Sequence, residues 1–321
     1  MANILKQIES RLEKGQLISF EQAMELAEAN VENEKIFLLA DRLCKRYKGN
    51  SVELCSIINA KSGKCSENCK YCAQSAHYNT DIQSYPLIST EEVLKRAREN
   101  EREGVHLFAI VTSGGSLSSK DFEKVLDMIS VLKKETRLKL CASLGSISFS
   151  QALSLKQAGL YMYHHNIETC REYYKEICDT HTYEDRINTI KNAKDAGLEV
   201  CCGGIIGMGE SMEQRIKMAF EIRELGIKSV PINILNPVKG TPLENVKRLE
   251  PFEILRTIAL FRLIMPYATI RYAGGRLSLG EYQSEGFKAG INAMMVGNYL
   301  TTIGNKIADD LKMLQSLGLS V

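Results

Sequence analysis

Eight short β-rich runs, each followed by a polar stretch of helical periodicity, constrain the fold of this 321-residue chain more tightly than anything else in it. They begin near Leu54 (LCSIINAK), His106 (HLFAIVTSG), Leu138 (LKLCASLG), Leu160 (LYMYHHNIE), Leu198 (LEVCCGGIIG), Ser229 (SVPINIL), Thr269 (TIRYAGG) and Ala293 (AMMVGN). Strands alternating with helices pack as a parallel sheet with crossover connections. Eight such units predict an α/β fold, a closed (β/α)8 TIM-type barrel, which holds roughly 250 residues in one domain. Between the runs, Ser89 and Glu92 stand in capping-box register at the head of a helix reaching Arg102. Lys120 to Glu135 and Tyr183 to Ala196 follow, and Pro251 suits a first helical turn. Ahead of the barrel, Ser19 and Gln22 form a capping-box pair before Ala23, Leu26 and Ala27. The expected organisation is an N-terminal helical extension over 1–50 and a barrel over 51–321.

Alternate side chains on a strand point to opposite faces. Cys55, Ile57, Asn59 and Lys61 therefore share one face of the first strand, and Lys139, Cys141 and Ser143 one face of the third. Barrel interiors are usually filled by branched apolar residues. Polar, cysteine-bearing faces suggest either a lumen that holds ligands or residues that face outward. With 44% hydrophobic and 25% charged residues the chain can bury a large core, which excludes a disordered one. Forty-one Lys and Arg against thirty-nine Asp and Glu leave a net charge of +2, too weak a field to argue for nucleic acid or an anionic membrane as partner. No apolar stretch reaches the roughly 18 residues of a membrane span, and the charged start MANILKQIESRLEKG lacks the apolar core of a signal peptide. A cytoplasmic location is the expectation, and in that reducing compartment ten cysteines read as metal ligands or catalytic groups rather than disulfides.

Directly after the first strand stands CSENCKYC, with Cys65, Cys69 and Cys72 in C-x3-C-x2-C spacing. A structural zinc site normally takes four protein ligands, so three thiolates on one loop leave a coordination position open. A 4Fe-4S cluster held by three cysteines likewise leaves one iron free for a substrate or cofactor. A zinc knuckle is the bland alternative. Cys44, Cys170 and Cys178 have no partners at recognisable spacing and read as ordinary thiols.

The triad, placed after the first strand of a barrel, resembles the signature of the radical S-adenosylmethionine superfamily. Nearly all of the chain from about residue 50 onward resembles the biotin synthase family, through SGKCSENCKYCAQS, LCASLGSIS, YHHNIET, TYEDRINTI, VCCGGIIGMGE, VPINIL, KGTPL, IRYAGGR and YLTT. The resemblance implies a 4Fe-4S cluster on Cys65, Cys69 and Cys72 that binds S-adenosylmethionine and cleaves it to a 5′-deoxyadenosyl radical. It implies sulfur insertion into two unactivated C–H bonds of dethiobiotin, the sulfur coming from an auxiliary iron–sulfur cluster inside the barrel. Members of the family hold that cluster, usually 2Fe-2S, with strand cysteines and an arginine. Here Cys141, Cys201 and Arg271 match, but the second-strand cysteine is replaced by Ala109. Cys55 stands where the family usually has serine. The expected ligand set is therefore Cys55, Cys141 and Cys201, with an altered cluster form, and whether Arg271 still ligates is open. Cys201 is placed inward by the resemblance alone, and Cys202 should point the other way.

By the same resemblance, Tyr71 and Ile205 flank the adenine of S-adenosylmethionine, Arg186 meets its carboxylate, and Asn166 and Glu168 reach its ribose. Glu168 stands where aspartate is usual, which sets the backbone further back, and His165 matches a recurrent histidine, whereas His164 stands where asparagine is common. Asn166 and Asn233 face the ring of dethiobiotin, and Thr301 and Thr302 hold its carboxylate. The glycine run Gly203, Gly204, Gly207 and Gly209 lacks dinucleotide-loop spacing and reads as close packing against S-adenosylmethionine. A reducing partner such as flavodoxin or ferredoxin and a homodimer are also implied. Two alternatives stand beside this reading: a related radical enzyme of the hydrogenase-maturation or pyrrolysine-pathway type, and a non-enzymatic iron–sulfur protein that senses or carries electrons.

Overall fold

The computed structural model describes residues 2–298, 300 and 304–321. Nine parallel strands form one sheet: β1 (Glu53–Lys61), β2 (Leu107–Thr112), β3 (Lys139–Ser143), β4 (Met162–His164), β5 (Glu199–Cys201), β6 (Gly204–Ile206), β7 (Ser229–Ile234), β8 (Thr269–Tyr272) and β9 (Ala293–Met295). Their order is β5-β4-β3-β2-β1-β9-β8-β7-β6, and a further β5–β7 pairing joins the ends. The sheet is thus a closed ring of eight staves, with β5 and β6 as two halves of the fifth. Cys201 pairs with Ser229 and Gly204 with Ile232. The break between these pairs faces Pro231, which has no N–H to donate. A side chain at Gly203 would run into the Pro231 carbonyl, so only glycine fits where the stave is interrupted.

The helices begin where their caps dictate. Ser19 accepts from the Gln22 amide while Gln22 returns the bond to Ser19, opening α2 (Phe20–Glu28), which follows α1 (Ala2–Glu13) and precedes α3 (Asn33–Lys48). Ser89 accepts from the Glu92 amide and opens α4 (Thr90–Arg102). Ser118, Ser148, Thr182 and Ser211 do the same for α5 (Ser119–Glu135), α6 (Phe149–Ala158), α7 (Tyr183–Asp195) and α8 (Met212–Glu224), and Pro251 starts α9 (Pro251–Ile264). Each such cap is worth about 1 kcal/mol. The fourth strand starts at Met162 rather than Leu160, because α6 ends on left-handed Gly159 and the Leu160 amide still bonds back to Leu155.

Two apolar layers result. The larger lies between sheet and helices and takes in Ile8 and Leu26 of the first helices along with Ile129, Leu155 and Ile258. Inside the ring a separate small cluster gathers Cys55, Leu107, Ala109, Cys141, Met162 and Cys201. Of the first three helices, α3 packs against α9 and α2 against α8, while α1 packs on α2. No helix among the described residues is long and apolar enough to cross a membrane.

Candidate active site

The loop after β1 folds on itself and brings its three cysteines to the barrel mouth. The Cys65 amide donates to Gln74 at 3.0 Å, Ala76 donates back to Cys65 at 2.8 Å, and Cys72 donates to Cys69 at 2.9 Å. Lys70 donates to the Ile177 carbonyl at 2.9 Å, which ties the loop to the segment before α7. Cys65 and Cys69 are buried and Cys72 is half-buried. All three line one cavity with Tyr71, His164, His165, Asn166, Glu168 and Arg186. Burial pushes the Cys72 thiol up to about 11, so a cation binding here releases a proton.

That cavity holds polar atoms with nothing to bond. Glu67 Oε2, Thr112 Oγ1, His164 Nε2 and His165 Nε2 are buried without a hydrogen-bond partner, and all four residues line it. Buried polar groups are normally satisfied. Their convergence beside three thiols fits a loop that carries a 4Fe-4S cluster and a polar cofactor such as S-adenosylmethionine. Burial pushes His164 down to about 3 and His165 well below its usual range, so both rings are neutral.

Opposite the thiols, Arg186 is held on all sides. Its Nε donates to Tyr174 Oη at 2.6 Å and its Nη1 to the Asn166 carbonyl at 3.1 Å, and Nη1 lies 3.6 Å from Glu168 Oε1. Burial opposes its charge, but Tyr71, Glu168, Tyr174 and Cys69 outweigh that and keep it protonated. Asn166 accepts from the Gly203 amide at 3.1 Å and donates to Glu168 at 3.3 Å. Glu168 adopts φ 67°, an unusual conformation for a non-glycine residue, and its carbonyl accepts from Ile205 at 2.8 Å. Non-glycine residues held there concentrate at functional sites. A second cavity, sharing Tyr71 and Leu300 with the first, is lined by Ile57, Ile205 and Asn233. Asn233 is fixed by donating to the Gly204 carbonyl at 3.2 Å and accepting from Gly274 at 2.9 Å.

Deeper in the ring, the inner faces of β1, β3 and β5 bring Cys55, Cys141 and Cys201 into the small lumenal cluster, which decides between the lumenal and outward-facing alternatives that strand parity leaves open. Cys202 belongs instead to the outer core. Arg271 enters from β8. Its Nη1 lies 3.9 Å from Cys201 Sγ and 3.5 Å from Ser229 Oγ, its Nη2 pairs with Glu53, and its Nε has no partner. Burial pushes the Cys55 thiol up to about 12 and raises Cys141 and Cys201 as well, while Arg271 pulls all three the other way. Three thiols around a buried guanidinium with a free N–H are a donor set that fits an anionic iron–sulfur cluster. Ala109 lies in register between Ile57 and Cys141 on the same inner surface.

A family profile described as the radical SAM superfamily matches residues 60–222, and one described as the biotin and thiamin synthesis associated domain matches 231–320. The biotin synthase of Acetivibrio thermocellus is 70% identical over 319 residues, covering 99% of this chain and 100% of that protein. The chain belongs to the biotin synthase family. The family's member from Clostridium tetani is 54% identical, with 100% and 99% of the two chains covered. Among solved structures, methylornithine synthase superposes with a TM-score of 0.85 at 19% identity, covering 98% of this chain and 96% of its own. The FeFe-hydrogenase maturase HydG from Carboxydothermus hydrogenoformans reaches 0.83 at 17% identity, covering 98% and 78%. These two share the (β/α)8 fold. The full-length sequence likeness is to the biotin synthase family, and neither alternative reading of the sequence is favoured.

The mouth also holds contacts that lie outside the sequence motifs. Cys178, read as an ordinary thiol, lies 3.7 Å from Cys69 Sγ, and His181 Nε2 lies 3.5 Å from both sulfurs. The three-residue spacing of Cys178 and His181 was the available signal, but their partner Cys69 is 109 residues away from Cys178. Nor did the sequence show that Arg271 pairs with Glu53. Within the glycine run, side chains at Gly203 and Gly204 would strike the Pro231 and Glu168 carbonyls, so the protein's own backbone demands glycine at these two positions. Thr301 and Thr302 lie outside the described residues.

Proposed function

We infer that this chain is a radical S-adenosylmethionine sulfurtransferase that converts dethiobiotin to biotin, as its family does, and the observation that carries the reading is full-length identity of 70% to a biotin synthase. When bound, the 4Fe-4S cluster and S-adenosylmethionine supply a radical that removes hydrogen from carbon, and an auxiliary iron–sulfur cluster supplies the sulfur. In this reading Cys65, Cys69 and Cys72 hold the first cluster, and Cys55, Cys141, Cys201 and Arg271 hold the second. Tyr71 and Ile205 flank the adenine. Arg186, already neutralised in part by Glu168, meets the cofactor carboxylate, and Asn166 and Glu168 take the ribose hydroxyls. Asn166 and Asn233 orient the dethiobiotin ring, and Thr301 and Thr302 take its carboxylate. The separation of a polar mouth, lined by unsatisfied polar atoms, from a small lumenal cluster of thiols and apolar side chains supports this division.

A low-potential electron donor is required, and flavodoxin or ferredoxin has the right chemistry. We also propose a cytoplasmic homodimer, and a division into an N-terminal extension over 1–50, whose α2 and α3 pack on the outside of the barrel helices, and a barrel over 51–321. The test of the function is an anaerobic assay of the reconstituted chain with dethiobiotin, S-adenosylmethionine and a reductant. Biotin formation with one deoxyadenosine per hydrogen removed is the expected result, and methionine release without sulfur transfer would exclude it.

A further inference from the structure

We propose that Cys178 and His181 form, together with Cys69, a mononuclear site for a thiophilic divalent cation such as zinc or ferrous iron, available only while the 4Fe-4S cluster is absent. This rests on the reading of Cys69 as a cluster ligand. Tetrahedral coordination with Zn–S bonds near 2.3 Å and Zn–N near 2.0–2.1 Å sets donor separations of about 3.8 Å for S···S and about 3.6 Å for S···N. The observed separations are 3.7 Å between Cys69 Sγ and Cys178 Sγ and 3.5 Å from each sulfur to His181 Nε2. The three donors already sit at the vertices of one coordination polyhedron.

The surroundings complete the site. His181 Nδ1 lies 2.7 Å from Tyr174 Oη. That contact orients the ring and leaves Nε2 as the free nitrogen, the arrangement that metal-bound histidines require. Arg186 Nη2 lies 3.4 Å from the same Nε2, a long contact that a cation at Nε2 would replace. The guanidinium keeps its bonds to Tyr174 and Asn166 and its place beside Glu168. Glu67 Oε2, buried and without a hydrogen-bond partner, lies 3.9 Å from His181 Nε2 and brings a carboxylate beside the three donors. Neither Cys178 nor His181 has a part in the proposed reaction, and the C-x3-C-x2-C triad does not include them. Assembly of the cluster recruits Cys69 and dismantles the site.

Cobalt(II) tests this directly, since tetrahedral thiolate ligation gives it intense charge-transfer absorption. In the full-length, cluster-free Cys65→Ala/Cys72→Ala variant, where only Cys69 of the triad remains, anaerobic titration should show one more equivalent of thiolate-bound cobalt than in Cys65→Ala/Cys72→Ala/Cys178→Ala. Adding His181→Ala in place of Cys178→Ala should also weaken the binding. Equal uptake with and without Cys178 overturns the proposal. The single variant Cys178→Ala, reconstituted anaerobically, should take up as much iron and sulfide as the unsubstituted chain, which also shows that it folds. Loss of a 4Fe-4S complement there would make Cys178 a cluster ligand and overturn the proposal as well. Failure of the unsubstituted chain to assemble any 4Fe-4S cluster would instead sink the reading of the triad, a result separate from the cobalt arms.

Discussion

The two cysteine sets of this protein are built in opposite ways. Cys65, Cys69 and Cys72 lie within eight residues on one loop whose backbone bonds close on themselves, and they face a cavity lined with unsatisfied polar atoms. Cys55, Cys141 and Cys201 come from three strands, meet only because the barrel closes, and sit among Leu107, Ala109 and Met162. A loop motif is portable and tolerates change elsewhere in the fold. A lumenal set depends on register, so a lost ligand on one strand can be replaced only from a position that faces the same interior. Cys55 faces that interior and Ala109 occupies it without a donor, which is what the proposed exchange of one cysteine for the other requires.

Several experiments would break or sharpen this contrast. The largest effect is expected from Cys65→Ala: deoxyadenosine formation should fall to background while the iron held in the lumen persists, as counted by iron and sulfide analysis. Cys55→Ala should do the converse, abolishing biotin formation and the auxiliary cluster while S-adenosylmethionine is still cleaved; an undiminished auxiliary cluster would refute the ligand exchange. Cys55→Ala/Ala109→Cys should recover part of the lost iron, because residue 109 sits on the same inner surface, and no recovery would mean that the surface does not accept ligands interchangeably. Glu53→Gln removes the carboxylate from Arg271, whose side chain is only 2% exposed. Breaking a buried pair costs about 3–5 kcal/mol. Glu53 is itself 34% exposed, so a loss of about 2 kcal/mol in urea-unfolding stability is expected for the cluster-free chain. The loss should shrink in the loaded protein, where anionic sulfur faces the guanidinium.

The smallest effect concerns pH. His164 is held neutral with its titration pushed down to about 3, whereas an unfolded histidine titrates near 6.5. Above about pH 6.5 neither state is protonated there. Below it the unfolded chain takes up a proton that the folded chain refuses, so stability falls as the pH drops from 6.5 toward 3, by at most about 1.4 kcal/mol per pH unit. His164→Asn should flatten that slope between pH 6.5 and 5 in urea titrations. An unchanged slope would show that other groups carry the acid sensitivity.

Much of the architecture was legible in order along the chain. Caps such as Ser19 with Gln22 and Ser89 with Glu92 are local, and strand parity at Cys55 and Cys141 follows from the extended backbone alone. The break in the fifth stave was not legible, because it arises from Pro231 on a neighbouring strand. Cys178 is illegible for the same kind of reason: Cys69, which gives it chemical meaning, is brought to it by bonds between two distant loops, Lys70 to Ile177 and Asn68 to Asp179 and Thr180.

The sequence by itself determined the alternation of strand and helix, the loop triad, the parity of the strand thiols and, through its motifs, the family. Each of these needs only neighbours along the chain or a likeness read along it. Tertiary structure alone decided that Arg271 is paired with Glu53 and that Cys69, Cys178 and His181 stand at coordination distance. Such facts depend on barrel closure and loop docking, where separations of a few tenths of an ångström are settled by packing between segments more than a hundred residues apart.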